Sequence, residues 1–337
     1  MKLNICSSFL FSIGFFFPAQ AFITHTPTSL NANDTGSRIN TNVFSVAEDG
    51  DERKTAVIIC PAQFCVPKDY EDLVQSLTSK SPKISSARVA NLPRTEWIKV
   101  ARQLPTSEFL AAELNNAKTL EWYFDAIENS VSDVYSEEGE DVQLCFIGHS
   151  IGGWVARSYL GGLSQSSTAV YRSSIEQCKS LITLGSPHFA PETSLVDQTR
   201  GLLRAVEERR ECSVEGLKEN GISVTCVGST AVKANVLTTD LEQIVALTSY
   251  LPLVSDWTSI TKGIRGDGII PEDLAFMEGS NRIEVEKCSI TGNDVRHAHV
   301  LPTPYNLWEA SAPSISLPSD FKWYGSDGVI EQWIDYV

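Results

Sequence analysis

The stretch "VQLCFIGHSIGGWVARSYL", residues 142–160, decides how this chain is read. Val142, Leu144, Phe146 and Ile147 form an apolar, β-favouring run bounded by turn residues, which predicts a buried strand. From Ile151 onward Trp154, Val155 and Leu160 return at roughly helical spacing, with no proline between them. Gly148-His149-Ser150-Ile151-Gly152 stands between the two, a G-x-S-x-G pattern in the strand–turn–helix context that gives it chemical meaning. A single residue that turns a strand into a helix takes strained backbone angles, and glycines at 148 and 152 remove the Cβ atoms that would collide there. Ser150 is therefore expected at the carboxyl end of the strand as a nucleophile, with the Ile151 N–H aimed at the same point to hold an oxyanion.

A serine hydroxyl needs a base, and the base needs an acid to orient it. Of five histidines, His25 lies near the N-terminus, His149 is inside the elbow and cannot turn back onto Ser150, and His188 falls too early in the Ser…acid…His order. His297 and His299, in "TGNDVRHAHVL", remain as candidate bases. For the acid, "RGDGIIP" (265–271) offers Asp267 between two glycines that let the backbone curl toward an imidazole. Asp256 and Asp294 are rivals, the first within an excursion and the second too near the histidine loop. The second oxyanion donor is expected from the loop after the first core strand, "CPAQFCVPKDY", through the N–H of Gln63 or Phe64.

Around this motif, short β-like runs alternate with helical stretches from residue 53 onward. "TAVIIC" (55–60), "SARVANL" (86–92), "SLITLGSPH" (180–188), "ISVTCVGST" (222–230) and "RIEVEKCSITG" (282–292) read as strands. "DYEDLVQSLTS" (69–79), "TLEWYFDAIENSV" (119–131) and the terminal "SDGVIEQWIDYV" read as helices, the last with Val329, Trp333 and Val337 on one face. Such alternation predicts an α/β domain with a mostly parallel central sheet and helices on both faces. Residues 190–220 and 231–265 interrupt it and are expected as helical insertions, either of which can serve as a lid over the carboxyl ends of the strands.

The chain has 337 residues and a formal charge of −15, with no basic stripe, which argues against a nucleic-acid partner. Residues 1–21 carry Lys2, an apolar run from Ile5 to Phe17 and Ala19-Gln20-Ala21, the pattern of a signal peptide. Residues 22–50, rich in Ser, Thr and Asn after Phe22, read as a disordered segment like a transit peptide. The Ala-Gln-Ala-Phe junction resembles the bipartite plastid presequences of diatoms and related algae; ordinary secretion is the alternative. The domain proper is placed at 51–337. Beyond Cys6, seven cysteines without a C-x-x-C pair predict neither a disulfide framework nor a metal site. Cys60, Cys145 and Cys226 are expected as small core residues.

"GHSIGGWVAR", "LGSPH", "GDGIIP", the histidine loop and "WYGSDGVIEQWI" together resemble the α/β-hydrolase superfamily, in its lipase-like plant and algal plastid branch. The resemblance implies the α/β-hydrolase fold and a serine lipase or esterase working through an acyl-enzyme. In similar sequences a Val-x-His stretch ahead of the Trp-Tyr-Gly-Ser segment carries the base, which maps onto Val295-Arg296-His297 and leaves His299 as the alternative. It implies no cofactor and a small-molecule or lipid ester substrate, such as a galactolipid or pigment ester. Peripheral contact with plastid membrane lipid and no obligate protein partner complete the expectation. An acyltransferase or thioesterase on the same triad, or a non-catalytic ligand-binding homologue, are the alternatives.

Overall fold

The computed structural model describes residues 53–165, 176–190, 197–235, 240–254, 262–298 and 320–337. The expected signal and transit segments, Asp256, His299 and most of the proline- and serine-rich stretch before Trp323 lie outside the described residues.

Six parallel strands form the central sheet: β1 (Thr55–Cys60), β2 (Ile84–Val89), β3 (Gln143–His149), β4 (Cys178–Leu184), β5 (Ser223–Gly228) and β8 (Asn281–Glu284). Their order is β2-β1-β3-β4-β5-β8. A separate antiparallel ribbon pairs β6 (Val232–Ala234) with β7 (Ile264–Gly266). The chain steps from β1 outward to β2 and then returns to the other side of β1 as β3. That reversal opens a crevice beyond the carboxyl ends of β1 and β3. The β1–β3 register pairs Cys60 with Gly148, so the loop that follows β1 and the turn that follows β3 begin side by side.

Strand alternation divides the core. Ala56, Ile58, Leu144 and Phe146 face one side, where they meet α2 (Glu121–Glu138) and α3 (Ile151–Leu160). Val57, Ile59, Cys145 and Ile147 face the other, against α1 (Glu71–Lys80) and the C-terminal segment. α1 buries Leu73 and Leu77, one turn apart. α2 buries Phe124, Ile127, Val131 and Val134 at helical spacing and runs seven residues beyond the expected end at 131. α3 is buried from Gly152 to Leu160, the mark of a helix enclosed on all sides. The result is the three-layer α/β-hydrolase architecture. Cys60, Cys145 and Cys226 are fully buried within their strands.

Three elements differ from the sequence reading. The C-terminal segment is two 3-10 turns, Ile330–Gln332 and Ile334–Tyr336, in place of an α-helix. Trp333 breaks the run at φ −138°, ψ −8°, and its indole N–H donates to the Tyr324 carbonyl at 3.0 Å. The apolar face survives: Val329 and Trp333 are buried and Val337 is half-buried. The last strand is only four residues long, because beyond Val285 the chain leaves the sheet to bridge Lys287 with Asp294. In the 190–220 excursion, α4 (Leu202–Glu208) and α5 (Val214–Glu219) are seated in the helical layer. Leu202, Leu203, Val206 and Leu217 are buried in the larger core, and Arg157 of α3 donates from Nε to the Cys212 carbonyl at 3.0 Å. The 231–265 excursion carries the β6–β7 ribbon and α6 (Leu241–Tyr250), with its own small core around Ala246 and Tyr250.

Candidate active site

β3 ends at His149 and α3 begins at Ile151, so Ser150 alone makes the turn. It does so at φ 54°, ψ −124°, a left-handed conformation that costs a non-glycine residue about 1–3 kcal/mol. Its own N–H donates to the Leu184 carbonyl of β4 at 2.9 Å, which ties the turn to the sheet. The two elbow glycines are a matter of contact. A Cβ on Gly152 would stand 2.1 Å from the Cys60 carbonyl oxygen, and one on Gly148 would stand 2.3 Å from the Gly153 Cα. The first turn of α3 therefore rests directly on the end of β1, with the N–H of Ile151 at its start.

The loop after β1, whose Cys60 and Pro61 carbonyls abut Gly152, is braced from several sides. Phe64 takes φ 62° and its carbonyl accepts from Arg94 Nε at 2.8 Å. Arg94 also faces Asp69 at 3.5 Å, with both side chains buried, and Asp69 accepts the Val66 N–H at 2.8 Å. Ala62 donates its N–H to the Tyr70 hydroxyl at 2.8 Å, so within residues 62–64 that amide is already spent.

Asp267 follows β7 and is 1% exposed, which makes its charge costly unless it is matched. It is matched at both oxygens. Oδ1 accepts the N–H groups of Ile269 and Ile270 at 3.0 and 2.7 Å. Oδ2 accepts from Tyr324 Oη at 2.8 Å and from His297 Nδ1 at 2.7 Å. Burial pushes the carboxyl pKa up, but the His297 charge and hydrogen bond, with the two amides, outweigh it and hold the group below its ordinary value. The backbone fixes the same pair, since the His297 N–H donates to the Asp267 carbonyl at 2.8 Å. With Nδ1 bound to the carboxylate, Nε2 of His297 is left to accept a proton.

The His297 ring lies against His149, centroid to centroid 5.1 Å, and His149 also contacts Trp323 at 5.2 Å. His297 thus reaches the elbow through the residue next to the serine. Among the described residues no hydrogen bond joins Ser150 to His297; such contacts often tighten only when substrate is bound. His149 Nδ1 is 2.8 Å from the Tyr70 hydroxyl. Asp294, the rival acid, is instead paired with Lys287 and Arg296 at the surface.

Two buried histidines bear on acid stability. His149 and His188 are both held well below the ordinary imidazole pKa. Burial is the main cause in each, with the His297 charge adding to it at His149 and the Arg157 charge at His188. The unfolded chain takes up a proton below about pH 6.5 that these folded imidazoles refuse. Each should therefore cost about 1.4 kcal/mol of stability per pH unit as pH falls below that point. Asp267, with its lowered pKa, adds its own loss only below about pH 4. Urea midpoints at pH 8, 7, 6 and 5 check this; a flat profile down to pH 5 would refute it.

Sequence reasoning brought Ser150, Ile151, Gln63, Asp267 and His297 forward but passed over Tyr70, Arg94 and Tyr324. Tyr324 lies in the "WYGSDG" segment, so a signal was present without a role attached. A cavity of about 440 Å³ opens elsewhere, between the end of β2 and α2, lined by Arg88, Asn91, Trp122 and Asp125 among others; no candidate site residue borders it. Among the described residues no group of three His, Cys, Asp or Glu side chains is placed to hold a metal ion.

A comparison with curated proteins gives no significant match. Among solved structures, a lipase of Bacillus licheniformis is 10% identical over 69% of this chain and 83% of its own, with a TM-score of 0.37. Lipase B of Aspergillus fumigatus is 12% identical over 79% and 54%, with a TM-score of 0.38. An acetyl xylan esterase is 17% identical over 42% and 67%, with a TM-score of 0.28. No residue role is carried over from these proteins. The family model described as the PGAP1-like alpha/beta domain matches residues 108–287, more than half of the 337-residue chain and the span that holds the elbow and Asp267. With that match and its three-layer fold, the chain belongs to the PGAP1-like alpha/beta domain family of the α/β-hydrolase superfamily.

Proposed function

We propose that the protein is a serine hydrolase that cleaves a carboxylic ester. The observation that carries this reading is the buried Asp267–His297 pair beside a serine held at φ 54°. Ser150 Oγ attacks the ester carbonyl while His297 Nε2 takes its proton. Asp267 keeps the imidazole in one orientation and stabilises it once charged. The N–H groups of Ile151 and of Gln63 or Phe64 receive the oxyanion. His297 returns the proton to the leaving alcohol, and water then releases the acyl group by the same steps. The substrate is a lipid ester, and a plastid address through residues 1–50 makes a galactolipid or pigment ester the first to try. A fluorescent protein fused behind residues 1–50 would report that address.

The chemistry is tested by treating the folded protein with a fluorophosphonate and following intact mass. One adduct per chain is expected, absent in Ser150→Ala and strongly slowed in His297→Ala, with His299→Ala unaffected. A folded protein that takes no adduct would overturn the reading and favour a ligand-binding role.

A further inference from the structure

Tyr324 reaches the site from the last described segment, far in sequence from the residues it touches. Its ring is fully buried, and its hydroxyl accepts the Ser229 N–H at 3.0 Å. That leaves its single hydrogen for Asp267 Oδ2, at 2.8 Å. The same oxygen holds His297 Nδ1 at 2.7 Å. The contact is built into the fold: Gly185, at the end of β4 with φ 54°, leaves the space. A Cβ there would stand 2.6 Å from both Asp267 Oδ2 and Tyr324 Cε2.

We propose that Tyr324 is a positioning residue that sets the proton affinity of His297 by sharing the Asp267 oxygen on which the imidazole hangs. The proposal rests on reading Ser150, His297 and Asp267 as the reacting set. A phenol donating to Oδ2 draws off part of the negative charge that would otherwise favour imidazolium. It also fixes the rotation of the carboxylate, which two amides on Oδ1 alone would leave less constrained. The other groups around the pair do not take this part. The Tyr250 hydroxyl donates to the Val232 carbonyl and accepts from the Gly268 N–H. Arg296 is drawn outward to Glu242 and Asp294. His149, on the far side of the His297 ring, is kept neutral by burial. Among the described residues Tyr324 is thus the one hydroxyl donating to the carboxylate.

The test is the titration of the His297 imidazole, followed by NMR in protein with ring-labelled histidine. Tyr324→Phe is expected to raise the midpoint by roughly half to one pH unit, about 3- to 10-fold in proton affinity. Tyr324→3-fluorotyrosine, the same shape with a stronger donor, is expected to lower it. The acid limb of kcat/KM should move with each. A merely structural role would change stability and leave both midpoints alone, and midpoints within about 0.2 unit of wild type in both variants would overturn the proposal. If Tyr324→Phe does not fold, the fluorotyrosine arm decides. Because NMR needs no turnover, midpoints that move in a protein without esterase activity would sink the hydrolase reading and keep the role of Tyr324.

Discussion

Ser150→Ala is expected to lower ester hydrolysis by a factor of about 10⁴ or more, and adding Asp267→Asn to that variant should cost almost nothing further. Alone, Asp267→Asn should also be severe, on the order of 10⁴ in kcat, because an amide can present its NH₂ to Nδ1 and turn the imidazole to the wrong tautomer. The non-additivity is the sharper result. On the proposed mechanism Asp267 acts only through His297, which it holds at 2.7 Å, and His297 acts only on the serine. Once the hydroxyl is gone, the pair has nothing left to activate, and the residual rate comes from the oxyanion donors and binding. Steady-state kinetics on the two single variants and the double variant, with folding checked by circular dichroism, measures this. Losses that multiply in the double variant would mean that Asp267 contributes by another route.

Arg94→Met should destabilise the domain by about 3–5 kcal/mol, a large part of the roughly 5–15 kcal/mol typical of a whole domain. The guanidinium is fully buried and faces Asp69 at 3.5 Å while donating to the Phe64 carbonyl at 2.8 Å. Methionine fills much of the volume but leaves a buried carboxylate without its cation and a strained Phe64 without its anchor. Asp69→Asn on top of Arg94→Met should recover a good part of the loss, since the stranded charge is then removed while the amide oxygen can still accept from Val66. Urea denaturation of the three variants gives the numbers. A loss below about 1 kcal/mol for Arg94→Met would show that the pair is not what holds this loop.

These two residue sets mark how far the sequence could be read. The elbow was legible because its constraint is local: a strand, one residue and a helix leave room only for glycine at 148 and 152. Asp267 and His297 were legible through chain order and the glycines at 266 and 268, although 30 residues separate them. Arg94 was not, because its partner is the backbone carbonyl of Phe64, and a carbonyl has no signature in a sequence. The role of Tyr324 was hidden for a related reason. An aromatic in an apolar context reads as core, and only the fold reveals that its hydroxyl ends on a carboxylate 57 residues away. The C-terminal turns show the converse limit. Val329, Trp333 and Val337 have helical spacing, but hydrogen bonds three residues back, such as Gln332 to Val329 and Trp333 to Ile330, suit the same burial.

The order in which the site's parts occur along the chain also gives it a schedule. The serine and the loop after β1 are made first, the carboxylate and imidazole more than a third of the chain later, and Tyr324 within the last described stretch. β8, the edge strand that pairs with β5, lies between Asp267 and His297 in the chain. A chain synthesised only as far as α3 therefore carries the serine without Asp267 or His297, and without the Leu184 carbonyl that fixes its turn. On the proposed mechanism, the nucleophile is thus synthesised well before the base that would activate it.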